Sequence, residues 1–497
     1  MYRRTFLQSA AAVSGLLPLA ARPSFAGLYQ AAAAATGDLE AVRGDGRPVT
    51  LPASSIKDLA ASLRGPVLLA SSAGYDAARR VLNPSIDKRP ALIVQPTGTA
   101  DVRRAVSFAS AHGLLVAVKC GGHSFSGMST CDKGLQIDLS NMRGVRVDPK
   151  AKRAYVEGGT LLGLVDHEAA AHGMMTPLGT VSHTGVGGLT TGGGFGRLAR
   201  KYGLAVDNVV GVDVVTADGS VRHGDATENP DLYWGVRGGG GNFGVVTNFE
   251  FQLHPFSGIV TGGEVVFPIA RARDLLRFYA EWSQKAPDDL YVDFVMSQPS
   301  GGKDGVSLLH ICYCGDDADR DLATLRTLGT PIANTIKAQP YVAFQKSGDY
   351  TDARTMGEYM KSGFTTGISE KLIAGVIDGF EGHPARSTGV FTQHAGGAIG
   401  RHPVGTCAFP HRHAQHALMA AVSWKVGDDA APHMAWTRKY WSTIEPLTSG
   451  FYINEVNDES RAVLNANYRE NFPRMVAVKK QYDPANLFRL NANVQPA

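Results

Sequence analysis

Lys119-Cys120-Gly121-Gly122-His123-Ser124-Phe125-Ser126-Gly127 is the stretch from which the rest of the chain becomes readable. It continues directly from Leu114–Lys119, an apolar run of strand type. Upstream, Ala91–Gln95 reads as a strand, Pro96-Thr97-Gly98 as a turn and Thr99 as the N-cap of a helix. Val102, Ala105, Val106 and Ala109 recur at helical spacing on its buried face, and Gly113 ends it. A β-α-β unit therefore delivers the chain into a loop of unshielded backbone amides, the hydroxyls of Ser124 and Ser126, and a lone imidazole. Such a nest suits a pyrophosphate, with the imidazole beside whatever the pyrophosphate carries. Taken alone, the loop fits a plain glycine-rich turn equally well.

Working outward, Leu135–Leu139 and Arg153–Glu157 read as further strands and Leu161–His172 as a helix, followed by a glycine-dense stretch from Gly179 to Gly196. Val209–Thr216, the turn Asp218-Gly219 and Ser220–His223 form a hairpin. Past Phe256 the glycine runs thin out. Strands at Glu264–Phe267, Tyr291–Ser297 and Ser307–Tyr313 alternate with helices at Ala270–Gln284 and Asp317–Leu328, which places a domain boundary near 257. On the N-terminal side, only Ser55–Leu63 reads as a helix before Pro90.

The first 26 residues read as an address. Arg3-Arg4-Thr5-Phe6-Leu7 precedes an apolar stretch from Ala10 to Ala20, and Ser24-Phe25-Ala26 supplies a small-x-small cleavage site, so the mature chain starts at Gly27. Paired arginines here point to the bacterial twin-arginine (Tat) export machinery, which moves folded proteins, and so to a periplasmic or secreted location. An uncleaved anchor is the alternative, although the stretch is too short and too interrupted for a stable membrane span, and no later run reaches 18 apolar residues.

Composition narrows the classes. With 44% hydrophobic and 19% charged residues in 497, the chain has ample apolar surface to bury and is not disordered. Its net charge of +4 leaves no footprint for nucleic acid. Five cysteines do not make a disulfide scaffold; Cys312 and Cys314 read as buried thiols on one side of a strand. The 58 glycines far exceed the roughly 35 that average usage gives. Gly239–Gly244 satisfies G-x-G-x-x-G, yet a strand follows it where a dinucleotide site needs a helix. No P-loop and no G-x-S-x-G elbow occurs. His167 and His172, five residues apart on a helix, stand about 140° apart and cannot share a metal. His411, His413 and His416 have no acidic or cysteine ligand among them and read as a strand leading into a helix, so no metal is expected.

The blocks Pro90–Val94 with Asp101–Ala109, Lys119–Gly127, Gly179–Gly196, Gly211–Ser220, Asp231–Phe249 and Tyr482–Asn493 occur in an order that resembles the vanillyl-alcohol-oxidase and p-cresol-methylhydroxylase (PCMH) flavoproteins, specifically their berberine-bridge-enzyme-like branch. The resemblance is close over 88–257 and 448–497 and looser between. It implies an α+β fold. A PCMH-type FAD-binding domain of two α/β subdomains would occupy 27–256, and a substrate domain with an antiparallel sheet covered by helices 257–447. Residues 448–497 would return to the FAD domain.

The resemblance also implies roles. FAD would be bonded through the ring of His123, with Lys119, Cys120, Gly121, Gly122, Ser124 and Gly127 around its pyrophosphate. Gly179, Thr180, Gly187, Gly188, Gly192, Gly193 and Gly194 would let backbone approach it, Val246 would touch adenine, and Asn491 and Asn493 would lie in the segment returning to the ring. Relatives often carry a second link through a cysteine where this chain has Val181, so a single bond is expected. Lys119 replaces the family's arginine and loses its planar fork. Tyr452-Ile453-Asn454-Glu455 replaces Tyr-x-Asn-Tyr, which makes Glu455 the first candidate for catalytic base and Tyr452 the second. Thr184, three places after Val181, stands where a small valine accompanies oxidases and a leucine dehydrogenases. The expected protein is an exported FAD-linked oxidoreductase. It oxidises an alcohol, sugar or amine-type small molecule by hydride transfer, with O2 as acceptor. A dehydrogenase with another acceptor and a flavin-retaining binding protein are the alternatives.

Overall fold

The computed structural model describes residues 37–302, 304–455 and 458–497; the expected twin-arginine segment and cleavage site lie outside them. Leu92–Val94 and Val116–Lys119 both pair parallel with Leu135–Asp138, which runs between them, and Val67–Leu68 closes the edge antiparallel. The crossover helix Thr99–His112 buries Val102, Ala105, Val106 and Ala109, and Gly113 ends it at φ 63°. Its start differs from the expectation: Thr99 is the first helical residue and makes no side-chain cap. The nearby donors are met instead by Asp101, whose carboxylate accepts the N–H groups of Arg64, Gly65 and Thr97.

A second sheet runs in the order Val221–Gly224, Val209–Val215, Val245–Gln252, Arg153–Glu157, Val145–Asp148, antiparallel throughout. Helix Pro230–Val236 precedes Gly239–Gly244 and a strand follows, which confirms that this is no dinucleotide turn. His167, Glu168 and His172 face solvent on or just beyond helix Leu162–Ala170.

From Ile259 onward the chain builds an eight-stranded antiparallel sheet. Alternation along its strands decides what each face meets. Leu290, Val292, Phe294 and Met296 of one strand, with Leu309 and Ile311 of the next, pack under helices Ala272–Lys285, Glu370–Asp378 and Ala431–Ile444. Asp293, Val295 and Ser297, with Val306, Leu308 and His310, face the other way.

Two expectations here are corrected. Asp317–Leu328 is not one helix but a single turn, Ala318–Asp321, followed by a 3₁₀ segment, Ala323–Leu328. Leu322, Leu325 and Leu328 repeat every third residue, which is the 3₁₀ period. The histidine group leads into a strand, His416–Lys425, rather than a helix. His411 and His416 are buried, and burial holds both imidazoles down at about 3. Among the described residues no group of three or more potential ligands could hold a metal, and no helix is long and apolar enough to cross a membrane. All five cysteines are free; Cys312 is buried and Cys314 partly so.

Helix Phe472–Tyr482 brings the C-terminal residues back onto the second sheet, where Met475, Val478, Ala492 and Val494 join Phe249 and Phe251 in one core. The fully buried Lys479 fastens this return. Its ammonium donates to Asp483 Oδ2 (2.7 Å) and to the carbonyls of Asn242 and Phe488 (both 2.8 Å).

Candidate active site

Between the glycine loops of the first two sheets and the open face of the third lies a cavity of about 920 Å³. The two loops meet backbone to backbone. A Cβ on Gly121 would stand 2.4 Å from the Gly185 nitrogen, and one on Gly185 would stand 2.3 Å from the Gly121 nitrogen, so neither position accepts a side chain. Gly122 takes φ 73°, the left-handed turn that sends the chain into His123.

His123 lines the cavity with both ring nitrogens engaged. Nε2 lies 2.7 Å from Nδ1 of His183, and Nδ1 lies 3.3 Å from the Thr184 hydroxyl. Cys120, Gly121, Gly122, Ser124, Thr180, Thr184, Gly187, Gly188, Val246 and Asn491 line the same space. Ser124 Oγ accepts the Met128 N–H (3.0 Å), which closes the loop. The Cys120 thiol is pushed up to about 11 by burial and donates to the Thr160 carbonyl, so it is a packing residue rather than a nucleophile.

Seven expected cofactor residues do not line the cavity. Lys119 is drawn the other way: its ammonium donates to the Ala78 carbonyl at 2.6 Å and lies 3.6 Å from Asp138, and burial lowers its proton affinity. Gly127 packs against Ile86, and the Gly179 carbonyl accepts the Gln345 amide (2.7 Å). Gly192, Gly193 and Gly194 belong to the support of the C-terminal turn. A Cβ on Gly192 would strike Asn454, one on Gly193 would press on Phe409 and Tyr452, and the Gly194 N–H donates to the Tyr452 hydroxyl at 2.9 Å. Asn493 lies beside Val494, whose N–H is held by Asn242 (2.9 Å).

Tyr452 and Glu455 both reach the cavity, Glu455 from the 3₁₀ turn Ile453–Glu455 and Tyr452 from the position just before it. The Tyr452 oxygen accepts from Gly194 and from the Asn454 amide (2.7 Å), and burial raises its phenol well above the ordinary tyrosine range. Glu455, 8% exposed, is raised to about 8 by desolvation, with the Ser362 hydroxyl pulling weakly the other way.

The facing wall was not legible beforehand. Arg197 donates through Nε to His310 Nε2 (3.1 Å), which leaves the His310 proton on Nδ1, 3.4 Å from Glu264 Oε1. The same guanidinium donates to the Thr180 carbonyl (2.8 Å) and to Gln345. Asp293, raised to about 7 by burial, accepts the Tyr291 hydroxyl (2.7 Å) and the His394 N–H (3.0 Å). The available signal was a polar residue at the outward position of an otherwise apolar strand, as in Val292-Asp293-Phe294 and Leu309-His310-Ile311.

These residues fit FAD. Asn491 donates its amide to the Gly241 and Phe488 carbonyls (3.0 and 3.1 Å), while its buried Oδ1 has no partner among the described residues and stays available as an acceptor. A Cβ built on Gly188 meets nothing within 4 Å, so bare backbone faces the cavity there. A glycine cradle, an engaged imidazole and a desolvated carboxyl around one space suit a flavin-dependent oxidoreductase. Comparison with known proteins agrees. Residues 90–225 match the FAD binding domain family, and 451–495 match the berberine and berberine-like family. (R)-6-hydroxynicotine oxidase of Paenarthrobacter nicotinovorans is 31% identical, covering 88% of this chain and 97% of its own. An FAD-linked oxidoreductase of Dictyostelium discoideum is 30% identical over 89% and 97%. The crystal structure of 6-hydroxy-D-nicotine oxidase from Arthrobacter nicotinovorans superposes with a TM-score of 0.78 at 27% identity, covering 88% of this chain and 99% of that one. The chain belongs to the berberine-bridge-enzyme-like FAD-linked oxidoreductases.

Proposed function

We propose that this protein is an exported oxidase that holds FAD covalently through His123 alone, oxidises an alcohol, sugar or amine-type small molecule, and passes the electrons to O2. The carrying observation is that His123, Thr184 and Glu455 face one cavity whose far wall bears Glu264, Asp293 and His310. Bound there, FAD supplies the acceptor for a hydride. Glu455 takes the proton that leaves a substrate O–H or N–H, a task for which a carboxyl near 8 is far better matched than one near 4. His310, its tautomer fixed by Arg197, and Glu264 orient polar substituents. Val181 at the position of the family's second attachment supports a single bond, and Thr184, close to valine in volume, supports access for a diatomic.

A panel of sugars, alcohols and cyclic amines, added anaerobically to the purified yellow protein, tests this reading. At least one member should bleach the flavin, and admitting air should restore the colour within seconds with formation of peroxide. Recovery over minutes would make the protein a dehydrogenase. A flavin that no compound bleaches would point to a binding protein.

A further inference from the structure

We propose that His183 is a positioning residue for flavin attachment: it fixes the tautomer of His123 so that Nδ1 presents its lone pair to the cavity, and it takes the proton of Nε2 as the bond forms. The inference rests on the reading of His123 as the attachment site.

A 2.7 Å contact between two ring nitrogens needs one N–H and one lone pair, so the pair shares a proton. If His183 donates, the His123 proton sits on Nδ1, pointing at the Thr184 hydroxyl, and neither nitrogen of His123 is nucleophilic. If His123 donates, Nδ1 carries the lone pair, 3.3 Å from a hydroxyl that can donate to it. Position decides which nitrogen can meet the flavin, and attachment through it requires the second arrangement. Thr184, on the Nδ1 side, lines the cavity, whereas His183, on the Nε2 side, does not. The imidazole is thus backed by His183 and aimed past Thr184. The rings lie 4.6 Å apart at 45°, close enough to hold a direction without stacking.

In the attachment step the His123 Nδ1 lone pair forms a C–N bond to the 8α carbon. One C–H bond at that carbon and the N–H at Nε2 are lost. The two electrons released pass through the ring system to dioxygen, which leaves with the two protons as peroxide. Without an acceptor at Nε2, alkylation at Nδ1 would leave a cation in a half-buried site. Nδ1 of His183 is placed to receive that proton.

The test uses the full-length protein and reads acid-stable flavin, independently of turnover. In the unmodified protein the colour should stay with the acid precipitate. His183→Ala should bind FAD but release it into acid, with attachment slowed about 10²-fold, the low end of what a positioned proton acceptor contributes. Added imidazole should restore part of the rate. His183→Asn places an acceptor oxygen near the Nδ1 position but cannot take a proton, so it should attach flavin at a rate between the two, and it serves also if the alanine variant does not fold. Attachment at the unmodified rate in either variant would overturn the proposal, as would an Nε2-linked histidyl-flavin in a digest. Unmodified protein that loses all its flavin to acid would overturn the attachment reading itself.

Discussion

Glu455 and Tyr452 stand three residues apart, and burial acts on both in the same direction with opposite catalytic consequence. Desolvation moves a carboxyl up from its ordinary 4.5 to about 8, near working pH, and moves a phenol further from it. Glu455→Gln should therefore keep the fold and the flavin while slowing flavin reduction about 10²–10⁴-fold, or about 3–5 kcal/mol of barrier. Slowing of less than about threefold, roughly 0.7 kcal/mol, would transfer the role to Tyr452. The pH dependence has a fixed sign: the carboxyl holds its proton below about 8 and works as a base only without it. Flavin reduction should rise as pH rises through that value, level off above it, and lose this limb in Glu455→Gln. Thr184 carries a second expectation. Leucine there adds bulk beside His123, so stopped-flow reoxidation should slow by about tenfold, or about 1.4 kcal/mol. Thr184→Val keeps the volume and should slow reoxidation far less; equal slowing in both would tie the effect to the hydroxyl, not to bulk. Of these residues, Glu455 and Thr184 were visible because a family motif frames them. His183 was not, since a histidine in a glycine-rich stretch acquires meaning only when a second histidine 60 residues earlier is folded against it.

At the scale of elements, strong periodicity was readable and support was not. The β-α-β unit and the 209–224 hairpin follow from apolar spacing closed by Gly113 and Asp218-Gly219. Leucines three apart, by contrast, suit α and 3₁₀ geometry alike, and the 317–328 segment took the latter for half its length. Gly192–Gly194 looked like cofactor cradle but clamps Tyr452 and Asn454, because a glycine shows that something comes close without showing what. One buried ion pair braces the return of the C-terminal segment. Lys479 and Asp483 are both fully buried, and the Asp483 carboxylate also accepts the N–H groups of Leu487 and Phe488, which fixes the bend leading to Asn491. Lys479→Met leaves that carboxylate without its cation, at a cost of about 3–5 kcal/mol. The midpoint of thermal unfolding should fall clearly, and Lys479→Met combined with Asp483→Asn should recover part of the loss. An unchanged midpoint in the single variant would show that the return is held by apolar packing alone.

For the molecule as a whole, the flavin site is complete only in the assembled fold. Its lining runs from Leu82 to Ala492 and draws on all three large sheets, so no emerging or threaded portion of the chain can complete it. Gly121 and Gly185 meet only when the first two sheets are docked, and Asn491 arrives only after the C-terminal helix has packed. If the protein is exported as proposed and loads FAD where FAD is made, it must cross already folded, which is the route that a twin-arginine reading of Arg3 and Arg4 supplies. Lysine keeps the positive charge at both positions, so any effect of Arg3→Lys with Arg4→Lys reports recognition of the pair rather than electrostatics. The doubly substituted protein should remain in the cytoplasm, yellow and folded, with its leader uncleaved, while the unmodified protein appears in the periplasm or medium with Gly27 at its N-terminus. Fractionation and N-terminal sequencing read both outcomes. Periplasmic levels that do not change would remove the twin-arginine route and require a chain that folds around FAD after crossing, leaving the oxidoreductase chemistry untouched.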